Sequence, residues 1–294
     1  MKQGKMQASR STSARGAFFI IICSLLLSIV FCILRNSIRM TAAELLLLDV
    51  IETVTVLLFP AVIGLFQMSG QGVKSLHLTH IEPGKMAHLF LAGVFLLFPV
   101  LLVNGVTVAV MTRFGIMQNH TDTGIIFFPA MIVALLLKPL SAALFYDEYL
   151  SFVLRRQKKW MVLLVPILLY AFQIGLKTGF VSAVFLAVLQ VLCFHQSFSM
   201  LAPVLVLAGY GFSQSIAGIN GLINSYIPGP GGTALLIFGT LAECMCLVKI
   251  WQIPVGTSRI QLPTSIRFER GEKRLLIGTG IAVILAIVAA EVFR

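Results

Sequence analysis

Chemistry in a chain this apolar falls to its few ionisable side chains. Each costs several kcal/mol in hydrocarbon unless it is paired or hydrated. Lys138 lies more than halfway along an apolar run and directly precedes Pro139, which removes a backbone donor and loosens the helix there. Glu243 lies near the middle of another apolar run, at a comparable depth by rise per residue. The two are expected to form a buried pair or share a hydrated cavity, so both are candidate binding residues. Asp147 and Glu148 end the run that holds Lys138, just before Arg155-Arg156-Gln157-Lys158-Lys159. Adjacent helical residues point about 100° apart. This pair is therefore no close carboxyl dyad, and a solvated interfacial face suits its position, with binding as the alternative. Asp49 and Glu52, three apart on one helical face, follow Arg35 and Arg39 and form an expected interfacial ion cluster.

Other chemistries lack their residues. His77 and His80 fall in one loop, His88 opens an apolar run, His120 sits in another loop and His195 ends a run. They cannot converge on one centre. Cys244 and Cys246 have no His or Cys partners at zinc spacing, and positions i and i+2 on a helix point apart, so no metal site is expected. The five cysteines lie in apolar runs, as small buried hydrophobes do. Tyr226-Ile-Pro-Gly-Pro-Gly-Gly232 lacks the Lys-Ser/Thr ending of a phosphate loop and is expected to form a tight loop. No cofactor is implied.

The elements that must position these residues follow from composition. Of 294 residues, 58% are apolar and 11% charged. The charged share is less than half the roughly 25% usual in soluble domains. Many nearly charge-free windows reach the length of about 18 residues that can cross about 30 Å of hydrocarbon. A soluble enzyme, a disordered chain and a disulfide scaffold are excluded. The expected fold is an all-α, polytopic transmembrane helix bundle of eight or nine spans: 16–34, 45–68, 87–111, 124–146, 160–175, 178–194, 201–218, 233–250 and 275–293. The fifth and sixth are short and could form a tight hairpin that does not fully cross. Residues 1–15 read as a basic cytoplasmic tail and 16–294 as one integral membrane domain, the first span being a retained signal anchor.

The net charge of +11 shows no basic stripe with interleaved aromatics, so no nucleic-acid partner is expected. With the N-terminus inside, sixteen Lys and Arg fall on the cytoplasmic side and five outside. That asymmetry orients the chain as a multi-pass protein of the cell membrane, with the lipid bilayer as its first partner. The basic segment 251–274 is expected to lie against the anionic inner leaflet.

One stretch has a familiar frame. Pro139-Leu-Ser-Ala142-Ala143-Leu-Phe-Tyr-Asp147-Glu148-Tyr-Leu150 resembles the first motif of the CPBP family, the CAAX prenyl proteases and bacteriocin-processing enzymes, which reads P-x-x-E-E-x-x-F/Y-R-G-x-L. The basic run and Trp160 follow in order. Tyr170-Ala-Phe-Gln-Ile174 is similar to the second motif, F-x-x-x-H. Ser199-Met-Leu-Ala-Pro203 leading into Leu207-Ala-Gly-Tyr-Gly211 is similar to the third, H-x-x-x-N. The resemblance covers about 75–215 and implies a CPBP-like core there.

Every catalytic letter departs from that pattern. The paired Glu is Ala142-Ala143, the Arg is Asp147, the two His are Ile174 and Leu207, and the Asn is Gly211. Methyl and aliphatic groups neither abstract a proton nor stabilise an oxyanion. The resemblance thus implies a non-catalytic protein that binds a hydrophobic peptide, a lipid-modified segment or a membrane-protein partner through the old substrate cavity. Immunity to a membrane-active peptide would fit that class. A carrier or channel lined by Lys138, Glu243, Asn104 and Gln190 is a second expectation. An active protease dependent on Asp147 or Glu148 is a third.

Overall fold

A computed structural model describes residues 2–38, 40–69, 81–101, 127–154, 159–178, 180–197, 199–219 and 230–251. These residues are almost wholly helical, with no strand among them. Eight continuous helices result: α1 (Lys2–Ser37), α2 (42–69), α3 (Pro83–Leu101), α4 (127–154), α5 (Lys159–Thr178), α6 (Phe180–Ser197), α7 (Leu201–Ile219) and α8 (Pro230–Trp251). Three stretches are long and apolar enough to cross a membrane: Ala42–Phe66, Pro83–Leu101 and Pro129–Leu154. Shorter apolar helices cover Phe19–Arg35, Val162–Gly175, Ala183–Ser197 and Ile237–Cys246. Large apolar side chains such as Phe19, Leu136, Phe238 and Met245 are exposed on the bundle surface. Such a surface suits hydrocarbon and not water.

Local sequence sets the starts. Thr41 and Glu44 cap α2 reciprocally: Thr41 Oγ1 accepts from the Glu44 N–H at 3.4 Å, and Glu44 Oε2 accepts from the Thr41 N–H at 2.7 Å. Pro83 opens α3, where its missing N–H costs nothing. The basic segment at the N-terminus is helical, continuous with the first apolar run from Lys2. The expected loop at 226–232 gives way at Pro230, where α8 already begins. Residues 275–293, the expected ninth span, lie outside the described residues.

Proline also widens two helices. α2 contains a π-helical segment at Thr53–Leu58, just before Pro60, and α4 contains one at Val133–Leu137, just before Pro139. Without an N–H, proline takes a donor from the regular ladder, and the chain closes with i→i−5 bonds instead. The N–H groups of Phe59 and Lys138 donate to the carbonyls of Val54 and Val133. A third π-helical segment, Ala143–Tyr149, has no proline to explain it.

α4 is the axis of the bundle. It packs on α2, α5, α6 and α7, and every residue from Ser141 to Leu150 is buried. It also runs to Leu154, well past the expected end at residue 146. Asp147 and Glu148 are therefore not on a solvated face. They are 1% and 3% exposed, because this part of α4 is enclosed on all sides.

Two polar or close-packed joints hold the helices around that axis. Tyr146 donates to Gln173 Oε1, Gln173 Nε2 donates to Ser24 Oγ at 2.9 Å, and Ser24 Oγ donates to the Val56 carbonyl at 2.8 Å. This chain ties α4, α5, α1 and α2 in sequence. Tyr146→Phe strands the buried Gln173 acceptor and should cost about 1–3 kcal/mol. Tyr210→Phe, which loses only a bond from the exposed Gln214, should cost less. Unfolding midpoints in detergent compare the two. The second joint is the crossing of α3 and α7, where a Cβ on Gly93 would fall 1.9 Å from the Val206 carbonyl oxygen. One on Gly209 would fall 2.1 Å from that of Phe90, so the two backbones touch.

Candidate functional site

Between α1, α2, α4, α5, α6 and α7 lies a cavity of about 150 Å³. Cavities of about that size accept a single aromatic ring. Its apolar wall includes Val56, Leu57, Pro139 and Leu186; its polar wall includes Ser28, Thr53, Gln173 and Gln214. Tyr146, Tyr170 and Tyr210 complete it, three of the five tyrosines in the chain. The rings of Tyr146 and Tyr170 meet edge to face with centroids 4.9 Å apart.

Glu52 and Lys138 line one part of this cavity and belong to an ion network. Asp49 is its hub. Arg35 pairs with one Asp49 oxygen, and Lys138 Nζ donates to the other at 2.8 Å. Arg35 also reaches Glu52 Oε2 at 3.4 Å. Two cations and two carboxylates balance. Arg39 falls outside the described residues.

The network corrects the expected Lys138–Glu243 pair. Because α4 extends to Leu154, Lys138 sits in its first half, about two and a half turns beyond Pro129. Asp49 sits about two turns beyond Ala42 in the neighbouring, parallel α2, at nearly the same depth. Lys138 is thus matched to Asp49. Glu243 is 2% exposed, and neither of its carboxylate oxygens has a hydrogen-bond partner among the described residues. Of the other binding candidates, Asp147 and Glu148 are buried in α4 but, like Glu243, do not line the cavity. Gln190 donates to Asp147 Oδ2 at 2.7 Å, and Asn104 lies outside the described residues.

Four of the six positions that the resemblance sets against catalytic letters come together. Ala142, Ile174, Leu207 and Gly211, from α4, α5 and α7, all line the cavity. Ala143 is fully buried beside it, and Asp147 is buried off the wall. Gly211 has a steric reason to lack a side chain: a Cβ there would lie 2.5 Å from the Ala134 carbonyl oxygen. That carbonyl belongs to the π-helical segment, where Lys138 donates to Val133 and Pro139 has no N–H to give. The widened stretch of α4 thus sets its backbone directly against α7 at Gly211.

Comparison of the chain with protein-family models, curated proteins and solved structures finds no match.

With apolar walls, three phenols and one balanced ion network, the cavity can hold a ring-sized apolar group and hydrogen-bond a polar edge on it. At the positions matching the motifs it presents no base or oxyanion donor. Tyr146, Tyr170, Tyr210 and Gln173 are not among the residues the sequence points to, since of the neutral polar groups only Asn104 and Gln190 are singled out there. Their signal was there: hydroxyl and amide groups within apolar helices, each needing a partner.

Proposed function

We propose that the chain is a non-catalytic, multi-pass protein of the cell membrane with a CPBP-like core and a cytoplasmic N-terminus. Its cavity takes an aromatic-sized side chain of a hydrophobic peptide or of a partner's membrane segment. The observation that carries this reading is the convergence of Ala142, Ile174, Leu207 and Gly211, from three helices, on one cavity wall. Residues chosen only by their register in three motif-like stretches would scatter over a bundle if the register meant nothing. Their aliphatic character leaves the wall able to bind and unable to hydrolyse. Immunity to a membrane-active peptide remains a role that such a cavity would serve, by analogy alone.

The carrier reading is weaker. It needs Lys138, Gln190 and Glu243 on one path, whereas Lys138 is held by Asp49 and neither Gln190 nor Glu243 reaches the cavity. The protease reading needs Asp147 or Glu148 at the cavity, and neither lines it.

A photoreactive amino acid placed at Ile174 or Leu207, in the full chain in its own membrane, tests the proposal. Irradiation should give a discrete peptide or protein adduct from these positions and none from Leu136, which is 64% exposed on the outer surface. Lipid adducts alone from all three positions would sink the binding reading.

A further inference from the structure

Away from the cavity, Asp147 and Gln190 meet between α4 and α6, with 1% and 0% of their surfaces exposed. Gln190 Nε2 donates to Asp147 Oδ2 at 2.7 Å. The other two acceptors of this pair, Asp147 Oδ1 and Gln190 Oε1, are buried without any donor among the described residues. Asp147 makes no ion pair there either. An ionised carboxylate so enclosed needs a cation or several donors, and one amide N–H is neither.

A carboxylic acid and a primary amide have complementary edges. The amide N–H donates to one carboxyl oxygen while the acid O–H donates to the amide oxygen. One proton on Asp147 Oδ1 would thus serve both of the acceptors that lack a donor. Turning the amide over does not remove the requirement. It sets Oε1 against Oδ2, where again only a protonated acid can donate.

We propose that Asp147 and Gln190 form a proton-binding site within the membrane domain, in which one proton closes an acid–amide ring between α4 and α6. Among the described residues no lysine or arginine pairs with Asp147. Around Asp147 the titratable groups are Tyr146, Glu148 and Tyr149 on α4, Tyr170 on α5, Cys193 and His195 on α6, Tyr210 on α7 and Glu243 on α8. Segment 53–69 of α2 carries none. Lys138, the cation of α4, is engaged with Asp49. Cys193 lies within electrostatic reach of both Asp147 and Glu243, so the site borders a second buried carboxyl. Loss of the proton would set a carboxylate against the Gln190 carbonyl oxygen, which loosens the α4–α6 joint. The inference stands apart from the cavity reading and does not depend on it.

Infrared spectroscopy of the purified full chain in lipid bilayers tests it. At neutral pH the wild type should show the carbonyl stretch of a protonated carboxylic acid, sensitive to hydrogen–deuterium exchange. Asp147→Asn should remove that component and keep the fold, because the introduced amide donates to Gln190 Oε1 as the acid did. Gln190→Leu should keep the component and shift it towards that of an acid without an acceptor. An unaltered acid band in Asp147→Asn, with loss of ionised carboxylate absorbance instead, would overturn the proposal. So would a wild-type thermal midpoint raised by sodium or potassium chloride and unresponsive in Asp147→Asn, which would assign the site to a metal cation. If Asp147→Asn does not fold, Gln190→Leu decides: a shifted band supports the ring and an unshifted one rejects it.

Discussion

Gly209→Ala should unfold the chain far more readily than a methyl added at an open glycine such as Gly84. The methyl would sit 2.1 Å from the Phe90 carbonyl oxygen, 3.0 Å from the Val94 nitrogen and 3.1 Å from the Gly93 Cα. All three are backbone atoms of α3, so no side chain can rotate away and the helices must separate. Overpacking typically costs about 1–3 kcal/mol, and a backbone obstacle places this change at or above the upper end. Separation would also strip contacts from Leu89, Ala92 and Val206, which are buried at the same crossing. Gly93→Ala meets the Val206 carbonyl and should behave alike. Gly84→Ala is the control: nothing lies within 4 Å of its Cβ, and it sits in the first turn of α3. It should be neutral or stabilising by up to about 1 kcal/mol. Unfolding midpoints of the three variants in one detergent give the ranking, and equal losses from Gly84→Ala and Gly209→Ala would refute the backbone-contact argument.

Asp49→Ala should be the most costly change among the charged residues. Asp49 holds Arg35 with one oxygen and Lys138 with the other, so among the described residues its removal leaves Lys138 without an ion-pair partner and Arg35 with Glu52. Breaking a buried pair from one side costs about 3–5 kcal/mol, and the partial exposure of these groups argues for the lower end. Lys138→Met should be much milder, about 1 kcal/mol, because Arg35 still neutralises Asp49 and the Lys138 side chain is 43% exposed. The double variant Asp49→Ala/Lys138→Met should recover part of the loss by removing the stranded cation. Folded yield and thermal midpoint of the two single variants and the double measure this; a double variant no better than Asp49→Ala would mean that Lys138 does not need Asp49.

The helical, membrane-suited character was plain from composition, since apolar runs of spanning length have few alternatives in water. Partnership was harder to read. The sequence matches Lys138 to Glu243 because its apolar run ends at residue 146, just before the charges at Asp147 and Glu148, whereas α4 continues to Leu154. An enclosed helix tolerates Asp147 and Glu148, so charge stops marking its end. The shift of eight residues changes every depth along α4 and moves Lys138 from Glu243 to Asp49. The cavity was half legible. Motif-like register located Ala142, Ile174, Leu207 and Gly211, whereas Tyr146, Tyr170 and Tyr210 come together only through the packing of α4, α5 and α7.

The enclosure of α4 bears on how the protein is made. Lys138, Asp147 and Glu148 lie within Pro129–Leu154. On insertion scales, Lys and Asp each cost about 2.5–3.5 kcal/mol at a helix centre. Such a segment gains little by leaving the translocon alone for lipid. α1 and α2, synthesised earlier, already carry Arg35, Asp49 and Ser24, but Gln173 and Gln190 emerge only afterwards. On the proposed multi-pass topology, entry of α4 into the bilayer would therefore be a cooperative step, completed when the hairpin of α5 and α6 arrives to cover its acidic half.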